Sequence, residues 1–339
     1  MCKYYTKGIN QNGYNICLYC NMKKDEHSIF SYLLNEAEQC DDITLLIQEY
    51  IKFDTQSIAC SDFNVVALLQ DNTVECWGNN MYGECNVPDS IQGKVISVGC
   101  TNRYSYGLLN DGTLKYWGYN DYRQCEPPDS IQGKIVSVSR GFGYHMGAVL
   151  NDKTVRCWGD NLYKQCDIPD YVQGRVEAIE CGFGHTCVLL DDMTIRCWGI
   201  YKLSIIPDSI QGKIVSINCG AYCTTVQLDN NMIKCWGDDM YKQFDVPDSV
   251  QGKISSIKFG SNHLYIIFDD NTIKTQNKNS RRHCSFPDSI QGKVVSILDG
   301  YKRYFALLND GTIKIWGDYA DIKKFDVPVS VQGKIIVPN

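Results

Sequence analysis

A repeat of about 40 residues is the feature that most constrains this chain. Gln-Gly-Lys, replaced once by Gln-Gly-Arg, occurs seven times at separations of 38 to 41 residues. Trp-Gly follows the same period in six copies, so all six tryptophans of the protein belong to the repeat. A fixed period of this length is typical of solenoids and propellers, in which small units stack on one another.

Each period contains three segments rich in β-branched and aromatic residues, as at 134–138, 185–190 and 194–199. Such segments favour β-strands. The second and third are joined by turn-forming residues, for example Asn-Asp-Gly at 110–112, which allow the positive φ angles of a tight hairpin. Each period therefore predicts a small antiparallel sheet of three firm strands, with a fourth, weaker strand.

A sheet of this size, with strands that are apolar on both faces, has to pack face to face against its neighbours. Seven sheets fit a closed ring better than an open stack, because closure removes exposed terminal edges. Residues 332–337 begin an eighth copy that ends after one strand, whereas the first copy lacks its Gln-Gly-Lys. We therefore predict an all-β fold, a seven-bladed β-propeller over residues 53–339 whose C-terminal strand completes the first blade.

Several segments resemble a known family. "WGDNLYKQC" at 158–166, "WGNNMYGEC" at 77–85 and "CGFGHTCVLL" at 181–190 look like repeats of the regulator of chromosome condensation family, whose members are seven-bladed β-propellers. The resemblance covers about residues 54–337, and the period is similar to that of the short-repeat branch, which includes a bacterial β-lactamase inhibitor protein. The wording "CWGDN" and "LLNDGTIK" also resembles paralogues in large DNA viruses of amoebae.

The amino-acid composition and the start of the sequence limit the cellular compartment expected for the protein and the class of partner it can bind. The net charge of −6 and the pI near 5.4 disfavour an extended nucleic-acid surface, because nonspecific affinity for nucleic acids depends on many Lys and Arg contacts. No segment approaches the roughly 18 consecutive apolar residues of a membrane span. The polar start, MCKYYTKGINQNGYN, lacks the apolar centre of a secretion signal. We therefore predict an intracellular, cytoplasmic protein or a virion component.

Residues 1–52 lie outside the repeat. Apolar residues recur with helical spacing at 28–38 and 42–52, and Asp41-Asp42 supplies a break and a cap between the two segments. We predict a small α-helical extension that caps the first blade.

The extension contains a Cys-x-x-Cys motif formed by Cys17 and Cys20. Two such thiolates suit one tetrahedral zinc ion, but a structural zinc site needs two further ligands at convincing spacing. The candidates are Cys2, His27 and Cys40, so only half of the signature is present. The alternatives are zinc, a redox disulfide and unliganded thiols; the last is favoured, and we expect no cofactor.

Two positions of the repeat are occupied mainly by cysteine. One precedes the tryptophan and holds Cys76, Cys157, Cys197 and Cys235; the other lies in the following loop and holds Cys85, Cys125, Cys166 and Cys284. Tyr, Phe or Ile occupies these positions in other copies, so both positions require apolar volume. In several copies one cysteine lacks its counterpart, and we therefore predict buried thiols rather than disulfides between the two positions.

Three histidines, His145, His185 and His263, lie at or near one position at the start of the middle strand, where other copies have Asn, Tyr, Cys or Arg. A metal or catalytic site does not tolerate such variety around a ring, so packing between blades is the better interpretation. The repeat sequence has no Gly-rich phosphate loop, nucleophile elbow or paired metal motif. An enzyme with a site in the central channel lacks a supporting constellation, and we predict no catalytic residues.

The sixth copy departs most from the others, because Gln276-Asn277 replaces Trp-Gly. Basic residues gather in its loop and at the next blade's equivalent turn: Lys278, Arg281, Arg282, His283, Lys302 and Arg303. Drift in a repeat stabilised by six intact neighbours is the simpler explanation. The alternative is a basic binding patch on an otherwise acidic disc, suited to an acidic partner surface.

The function favoured by the sequence is a non-enzymatic scaffold for protein–protein interaction or self-assembly. Its narrower versions are inhibition of an enzyme, by analogy with the bacterial inhibitor, and a structural role in a viral particle or its surface layer. The resemblance also implies an alternative, guanine-nucleotide exchange on a small GTPase. In the family that activity depends on a protruding insertion, whereas these repeats have nearly equal lengths, so a small GTPase is the less favoured partner.

Overall fold

The structure is a computed structural model. It describes residues 58–61, 63–101, 103–120, 127–141, 145–200, 206, 208–237, 252–259, 264–276, 286–300, 303–317 and 326–337. The predicted helical extension, with Cys17 and Cys20, lies outside these residues. None of the helical turns in the described ranges has the length and apolar character needed to cross a membrane.

The described strands form seven sheets, which we number as blades 1 to 7 in chain order. Each is an antiparallel meander of three strands. The strands are, blade by blade, β1 (Ile58–Cys60), β2 (Asn64–Leu68) and β3 (Val74–Gly78); β4 (Val95–Cys100), β5 (Tyr104–Leu109) and β6 (Leu114–Gly118); β7 (Ile135–Arg140), β8 (His145–Leu150) and β9 (Val155–Gly159); β10 (Val176–Cys181), β11 (His185–Leu190) and β12 (Ile195–Gly199); β13 (Ile214–Cys219), β14 (Cys223–Leu228) and β15 (Ile233–Gly237); β16 (Ile254–Phe259), β17 (Leu264–Phe268) and β18 (Ile273–Gln276); β19 (Val294–Gly300), β20 (Arg303–Leu308) and β21 (Ile313–Gly317).

The fourth, weaker strand expected from the sequence is absent from the described residues of every blade. In five copies the chain beyond the conserved proline instead forms a short 3-10 turn: Asp89–Ile91, Asp129–Ile131, Asp170–Val172, Asp208–Ile210 and Asp288–Ile290. Proline holds φ near about −65° and has no amide donor, so this segment turns toward the next blade instead of extending the sheet.

Successive blades pack face to face. Val66 and Leu68 of blade 1, for example, share one hydrophobic cluster with Val95 of blade 2. Similar clusters join the other successive pairs of blades. A further cluster joins Phe305 of blade 7 to Ile58 of blade 1. Because the last blade packs on the first, the sheets form a closed ring, and the predicted seven-bladed β-propeller is confirmed.

The C-terminal segment completes the first blade. Buried Ile335 forms an antiparallel bridge with Leu69, next to the hydrogen bond in which the Gln70 amide donates to the Lys334 carbonyl at 2.8 Å. The same backbone bond recurs in the other blades, from Asn110 to Lys94, Asn151 to Lys134, Asp191 to Arg175, Asp229 to Lys213, Asp269 to Lys253 and Asn309 to Lys293. The first strand of blade 1 is therefore composite: β1 comes from the start of the repeat region and the segment around Ile335 comes from its end.

The glutamine of Gln-Gly-Lys connects each blade to the next. The Gln92 side chain accepts a hydrogen bond from the Val74 amide at 2.7 Å and donates one to the Val74 carbonyl at 3.0 Å. The same pair of bonds is made by Gln132, Gln173, Gln211, Gln291 and Gln332. In these six copies the bonds satisfy backbone groups on the edge strand of a blade, which explains why the glutamine recurs.

Each tryptophan packs in the cluster that its blade shares with the preceding one, as Trp117 does between blades 1 and 2 and Trp158 between blades 2 and 3. Blade 6 ends its third strand at Gln276 instead. The cluster between blades 5 and 6 contains no tryptophan among the described residues and is the smallest: Ile233, Ile254, Ile257, Leu264, Ile266 and Phe268, with Cys235 beside it. The loss of tryptophan therefore falls on one defined interface of the ring.

Candidate functional site

The two ends of the ring differ in their chemistry. The start of β2 lies opposite the end of β3, and the Asn79 amide donates to the Phe63 carbonyl at 2.7 Å, so the turn before β2 and the loop after β3 meet at one end. We call this end the loop face; its described residues are 61, 63, 79–88, 101, 103, 119, 120, 127, 128, 141, 160–169, 182–184, 200, 206, 220–222, 286, 287 and 326–328. The described residues of the opposite end, the hairpin face, are 70–73, 89–94, 110–113, 129–134, 151–154, 170–175, 191–194, 208–213, 229–232, 252, 253, 269–272, 288–293, 309–312 and 329–334.

Large apolar side chains project into solvent from the loop face. Met81 of blade 1 is 76% exposed and Leu162 of blade 3 is 83% exposed, and the two residues occupy the same position of the repeat. Aromatic side chains on the same face are also exposed: Phe63, Tyr82, Tyr163 and Tyr222. Several large exposed apolar side chains on one face are a feature of interaction sites in soluble proteins.

The two loops that carry Met81 and Leu162 are held by the same hydrogen bonds. The Asn80 side chain accepts from the Cys85 amide at 2.9 Å and donates to the Asn86 side chain at 2.7 Å. In blade 3, Asn161 makes both bonds at 2.8 Å, to the Cys166 amide and the Asp167 carboxylate. Since none of these bonds involves Met81 or Leu162, the backbone presents these side chains without depending on them.

Each loop is also tied to the next blade. The Ser105 hydroxyl of blade 2 donates to the Glu84 carbonyl at 2.8 Å, and the Thr186 hydroxyl of blade 4 donates to the Gln165 carbonyl at 2.8 Å. The side chains of Glu84 and Gln165 are fully buried. The loop tips are therefore exposed while their bases are anchored in the ring.

Arg103 contacts two tyrosine rings of the loop face, those of Tyr82 and Tyr119. The Arg103 guanidinium carbon is 5.4 Å from the centre of the Tyr82 ring and 5.2 Å from that of Tyr119. The two tyrosine rings pack edge to face, with their centres 5.4 Å apart. Tyr and Arg are the residue types that most often contribute strongly to protein–protein binding.

The histidines bridge blades, as the sequence predicted. His145 Nε2 lies 3.1 Å from the Thr186 hydroxyl, and His185 Nε2 lies 3.1 Å from the Thr224 hydroxyl, in each case across to the next blade. Asn64 makes the equivalent bond to Ser105 at 3.0 Å in blade 1. All three side chains are buried. His263 lies outside the described residues.

The buried position of His185 predicts a pH dependence. Burial, with a smaller contribution from His145, lowers the pKa of His185 from 6.5 to about 4. The unfolded chain binds this proton near pH 6.5, so the stability contributed by neutral His185 is fully present above about pH 6.5 and is lost as the pH falls toward 4. Between about pH 7 and pH 4 this loss amounts to about 3 kcal/mol.

The matched variant is His185→Asn, because Asn64 fills the same position in blade 1. Urea unfolding across this pH range should show the wild type losing more stability than the variant, by about the 3 kcal/mol assigned to the histidine. The carboxylates whose pKa values are lowered, such as Asp71 and Asp111, titrate in both proteins and cancel in the comparison. Parallel losses in the two proteins would contradict the assignment.

Glu84 gives a second prediction. One of its carboxylate oxygens accepts from the Tyr82 amide at 2.7 Å, and the other, Oε1, is buried without a hydrogen-bond partner among the described residues. Gln165 fills the same position in blade 3, where its Nε2 donates to the Asp160 carboxylate at 3.1 Å. Glu84→Gln should raise the free energy of unfolding by about 1 kcal/mol, because a neutral amide costs less to bury. Gln165→Glu should lower it by about 2 kcal/mol, because it places two carboxylates together.

Thermal and urea unfolding of these two variants at neutral pH measure the effect. The substitutions are reciprocal, so the shifts should have opposite signs. Shifts of the same sign would show that the two loops are not equivalent.

The cysteines require one correction. Cys187 and Cys197 form a disulfide, so the prediction of an unpaired thiol is wrong for Cys197. The two residues lie directly opposite each other on β11 and β12. The sequence prediction considered only the loop cysteines as partners of the cysteine before tryptophan. The partner of Cys197 lies instead on the neighbouring strand. Cys76 and Cys157 are free thiols.

His185, Cys187 and Cys219 have ligand atoms within 4.8 Å of one another, and all three side chains are buried. The disulfide between Cys187 and Cys197 removes one thiolate from this group. The Thr224 hydroxyl lies among the three, at 3.1 Å from His185 Nε2, 3.6 Å from Cys187 Sγ and 3.9 Å from Cys219 Sγ. We therefore interpret the group as part of the core between blades 4 and 5.

The basic patch of the sixth repeat remains a prediction. Outside the described residues lie Lys278, Arg281, Arg282, His283 and Lys302. Arg303 begins β20, and its backbone pairs with Gly317. The structure therefore neither brings these side chains together nor separates them.

The exposed apolar tips were not among the residues predicted from the sequence. A signal was present, since Met-Tyr or Leu-Tyr recurs at the same position in three copies, at 81–82, 162–163 and 240–241. Apolar residues inside a repeat are ordinarily assigned to its core. The folded structure shows that the side chains of Met81 and Leu162 are exposed to solvent.

Comparison with known proteins agrees with the repeat and with the fold. The family model of the regulator of chromosome condensation (RCC1) repeat matches residues 56–84 and 176–200. None of the curated proteins has a matching sequence. The CRINKLY WD40 ectodomain from the Arabidopsis thaliana receptor kinase ACR4 is similar in structure, with a TM-score of 0.63 and 20% identity over 84% of this chain and 98% of that one.

Two further structures are similar. The ectodomain of the Physcomitrella patens receptor kinase CR4 has a TM-score of 0.62 and 20% identity over 77% of this chain and 73% of that one. Prp20p from Saccharomyces cerevisiae has a TM-score of 0.46 and 14% identity over 83% and 76% of the two chains. The described residues thus define a seven-bladed β-propeller. The two segments that match the regulator of chromosome condensation repeat carry the strands of blades 1 and 4.

Proposed function

We propose that this propeller is a non-enzymatic protein-interaction module and that its loop face binds the partner. The observation that carries the proposal is the pair of equivalent loops whose exposed tip residues, Met81 and Leu162, are apolar while the loops are fixed by hydrogen bonds. A loop without a partner gains nothing from a large apolar side chain in water, since its exposure is unfavourable. Contact with another protein removes that surface from solvent.

The residue types favour a protein partner over other ligands. Aromatic residues, Met and Arg are enriched in protein interfaces, and the loop face combines Met81 with Tyr82, Arg103 and Tyr163. Nucleic-acid binding requires many basic contacts, whereas the chain carries a net charge of −6. The preferred partner surface is therefore apolar, with carbonyl or carboxylate groups positioned for Arg103.

The hairpin face is chemically different. Its charged residues bond to their own neighbours: Lys94 donates to the Ser90 carbonyl at 3.0 Å, and Arg175 pairs with Asp191 and Asp192 at 3.0 and 2.7 Å. These bonds neutralise charged groups of the hairpin face locally, and that face also exposes two apolar side chains, Tyr171 and Val329. That face therefore supplies the control for the binding test.

The test compares capture of native partners by three proteins. Met81→Ser with Leu162→Ser removes the exposed apolar tips. Tyr171→Ser with Val329→Asp removes two exposed apolar side chains from the hairpin face and restores the residues usual at those repeat positions. Quantitative mass spectrometry should show a partner retained by the wild type and by the hairpin-face variant. The loop-face variant should capture it at least about tenfold less, a loss of about 1.4 kcal/mol in binding free energy.

Equal capture by both variants, with intact folding shown by circular dichroism, would overturn the assignment to the loop face. The identity of the partner separates the finer versions of the proposal. A structural protein of a viral particle supports the particle role. A small GTPase whose nucleotide release is accelerated by the propeller supports the exchange alternative, and unchanged release across a panel of GTPases removes it.

A further inference from the structure

Two cysteines meet at the base of the blade 1 loop. Cys76 lies in β3 and Cys85 ends the tip of the following loop, and their Sγ atoms are 2.8 Å apart. A disulfide bond has an S–S length of about 2.05 Å, so closure requires a movement of less than about 1 Å. Neither residue belongs to the disulfide between Cys187 and Cys197.

The surroundings hold both sulfur atoms at this junction. Cys76 Sγ lies 3.4 Å from the Glu84 carbonyl, and Cys85 Sγ lies 3.2 Å from the Asn79 carbonyl. The backbone of Cys85 is fixed by its bond to the Asn80 side chain. Both cysteines are half-buried, so a small oxidant in solvent has access to the pair.

We propose that Cys76 and Cys85 form a reversible oxidation site that reacts with low-molecular-weight disulfides. The Cys85 thiol loses its proton and attacks one sulfur of the oxidant, which releases one thiol and leaves a mixed disulfide on Cys85. The Cys76 sulfur, losing its proton in turn, attacks Cys85 Sγ and releases the second thiol. The two cysteines are oxidised by two electrons in total, and the small disulfide is reduced to two thiols.

The order of attack follows from the environment of the two thiols. The hydrogen bond with Cys85 raises the pKa of Cys76, and burial raises it further. Cys76 is therefore held protonated. A thiolate is the attacking species in such exchange, so Cys85 acts first and Cys76 resolves the mixed disulfide.

The bond would close a ring around residues 77–84, which include the exposed tip Met81 and Tyr82. This link to binding rests on the proposed function, whereas the oxidation itself does not. Blade 3 supplies an internal control, because Cys157 and Cys166 occupy the same two positions of the repeat. There Cys166 Sγ makes the equivalent bond, to the Asp160 carbonyl at 3.3 Å, but Cys157 shares its side-chain hydrogen bond with the Thr186 hydroxyl.

The experiment treats the full-length, folded protein with oxidised glutathione, alkylates the remaining thiols and digests it with trypsin and a glutamate-specific protease. Glu75, Glu84 and Lys94 place the two cysteines in separate peptides, CWGNNMYGE (76–84) and CNVPDSIQGK (85–94). The blade 3 pair falls in CWGDNLYK (157–164) and QCDIPDYVQGR (165–175). Mass spectrometry then reports each bond independently.

We expect the 76–84 and 85–94 peptides to become linked, to separate again on treatment with dithiothreitol, and to link at least about tenfold faster than the blade 3 pair. In Cys76→Ser, glutathione should remain on Cys85 as the mixed disulfide. Unlinked, alkylated Cys76 and Cys85 in oxidised native protein would overturn the proposal, as would equal rates in blades 1 and 3. Because these readouts need no partner, they stand or fall separately from the binding test.

Discussion

Ile335→Asp is expected to destabilise the propeller by about 4 kcal/mol or more, because it places a carboxylate at a fully buried position packed against apolar side chains. Ile335 bridges to Leu69 and packs with residues of blades 1 and 7. The substitution therefore acts where the two ends of the repeat region join. Urea unfolding followed by tryptophan fluorescence measures the loss.

Val329→Asp is the matched control. It makes the same kind of change in the same C-terminal segment, but Val329 is 91% exposed and most other copies carry Asp at this position. Its effect should stay within about 0.5 kcal/mol, as for most surface substitutions. A similar, small effect for Ile335→Asp would mean that the C-terminal segment does not close the ring.

Gly199→Ala is expected to cost about 4 kcal/mol, because the glycine of Trp-Gly is required by the backbone itself. Gly199 has φ +108°, in a region that side chains rarely adopt, and a Cβ atom there would lie 2.7 Å from the Cα of His185. Backbone atoms form this contact, so a side-chain rotation cannot relieve it. The same positive φ recurs in the Trp-Gly of other blades, at Gly78, Gly118, Gly159 and Gly237.

Gly174→Ala separates the conformational cost from the steric cost. Gly174 has φ +78°, and among the described residues no atom beyond its chain neighbours lies within 4 Å of a Cβ placed there. Only the left-handed conformation is penalised, so the expected loss is about 1–2 kcal/mol. Urea unfolding of both variants decides the point, and equal losses would contradict the steric role of Gly199.

The ring could be predicted because its determinants repeat. The period, the glycines and the alternation of apolar segments recur in the sequence, and the conformation that suits one copy suits all. The fourth strand, which the described residues do not form, is different in kind. The segment before Gln-Gly-Lys is compatible with either a strand or a turn, and the 3-10 turn at Asp89–Ile91 is formed within the packed interface, where Ile91 is buried.

The candidate site was harder to predict from the sequence, because it depends on whether a side chain faces solvent or the core and not on the residue type alone. Met81 and Leu162 have the chemistry of core residues, and only the Asn80 and Asn161 hydrogen bonds turn their loops outward. The disulfide of Cys197 likewise depends on strand register. Periodicity identifies positions that are equivalent, but not the side chains that meet across a sheet.

Photo-crosslinking from the loop face is the most direct test of the proposed function. A photoreactive amino acid is placed in the full-length protein at position 162 or, in a second protein, at position 171; both are exposed, at 83% and 63%, and they lie on opposite faces. Each protein is irradiated with the partner that the wild type captures. The proposed function predicts a crosslink from position 162 and none from position 171, whereas a crosslink from position 171 alone would contradict it.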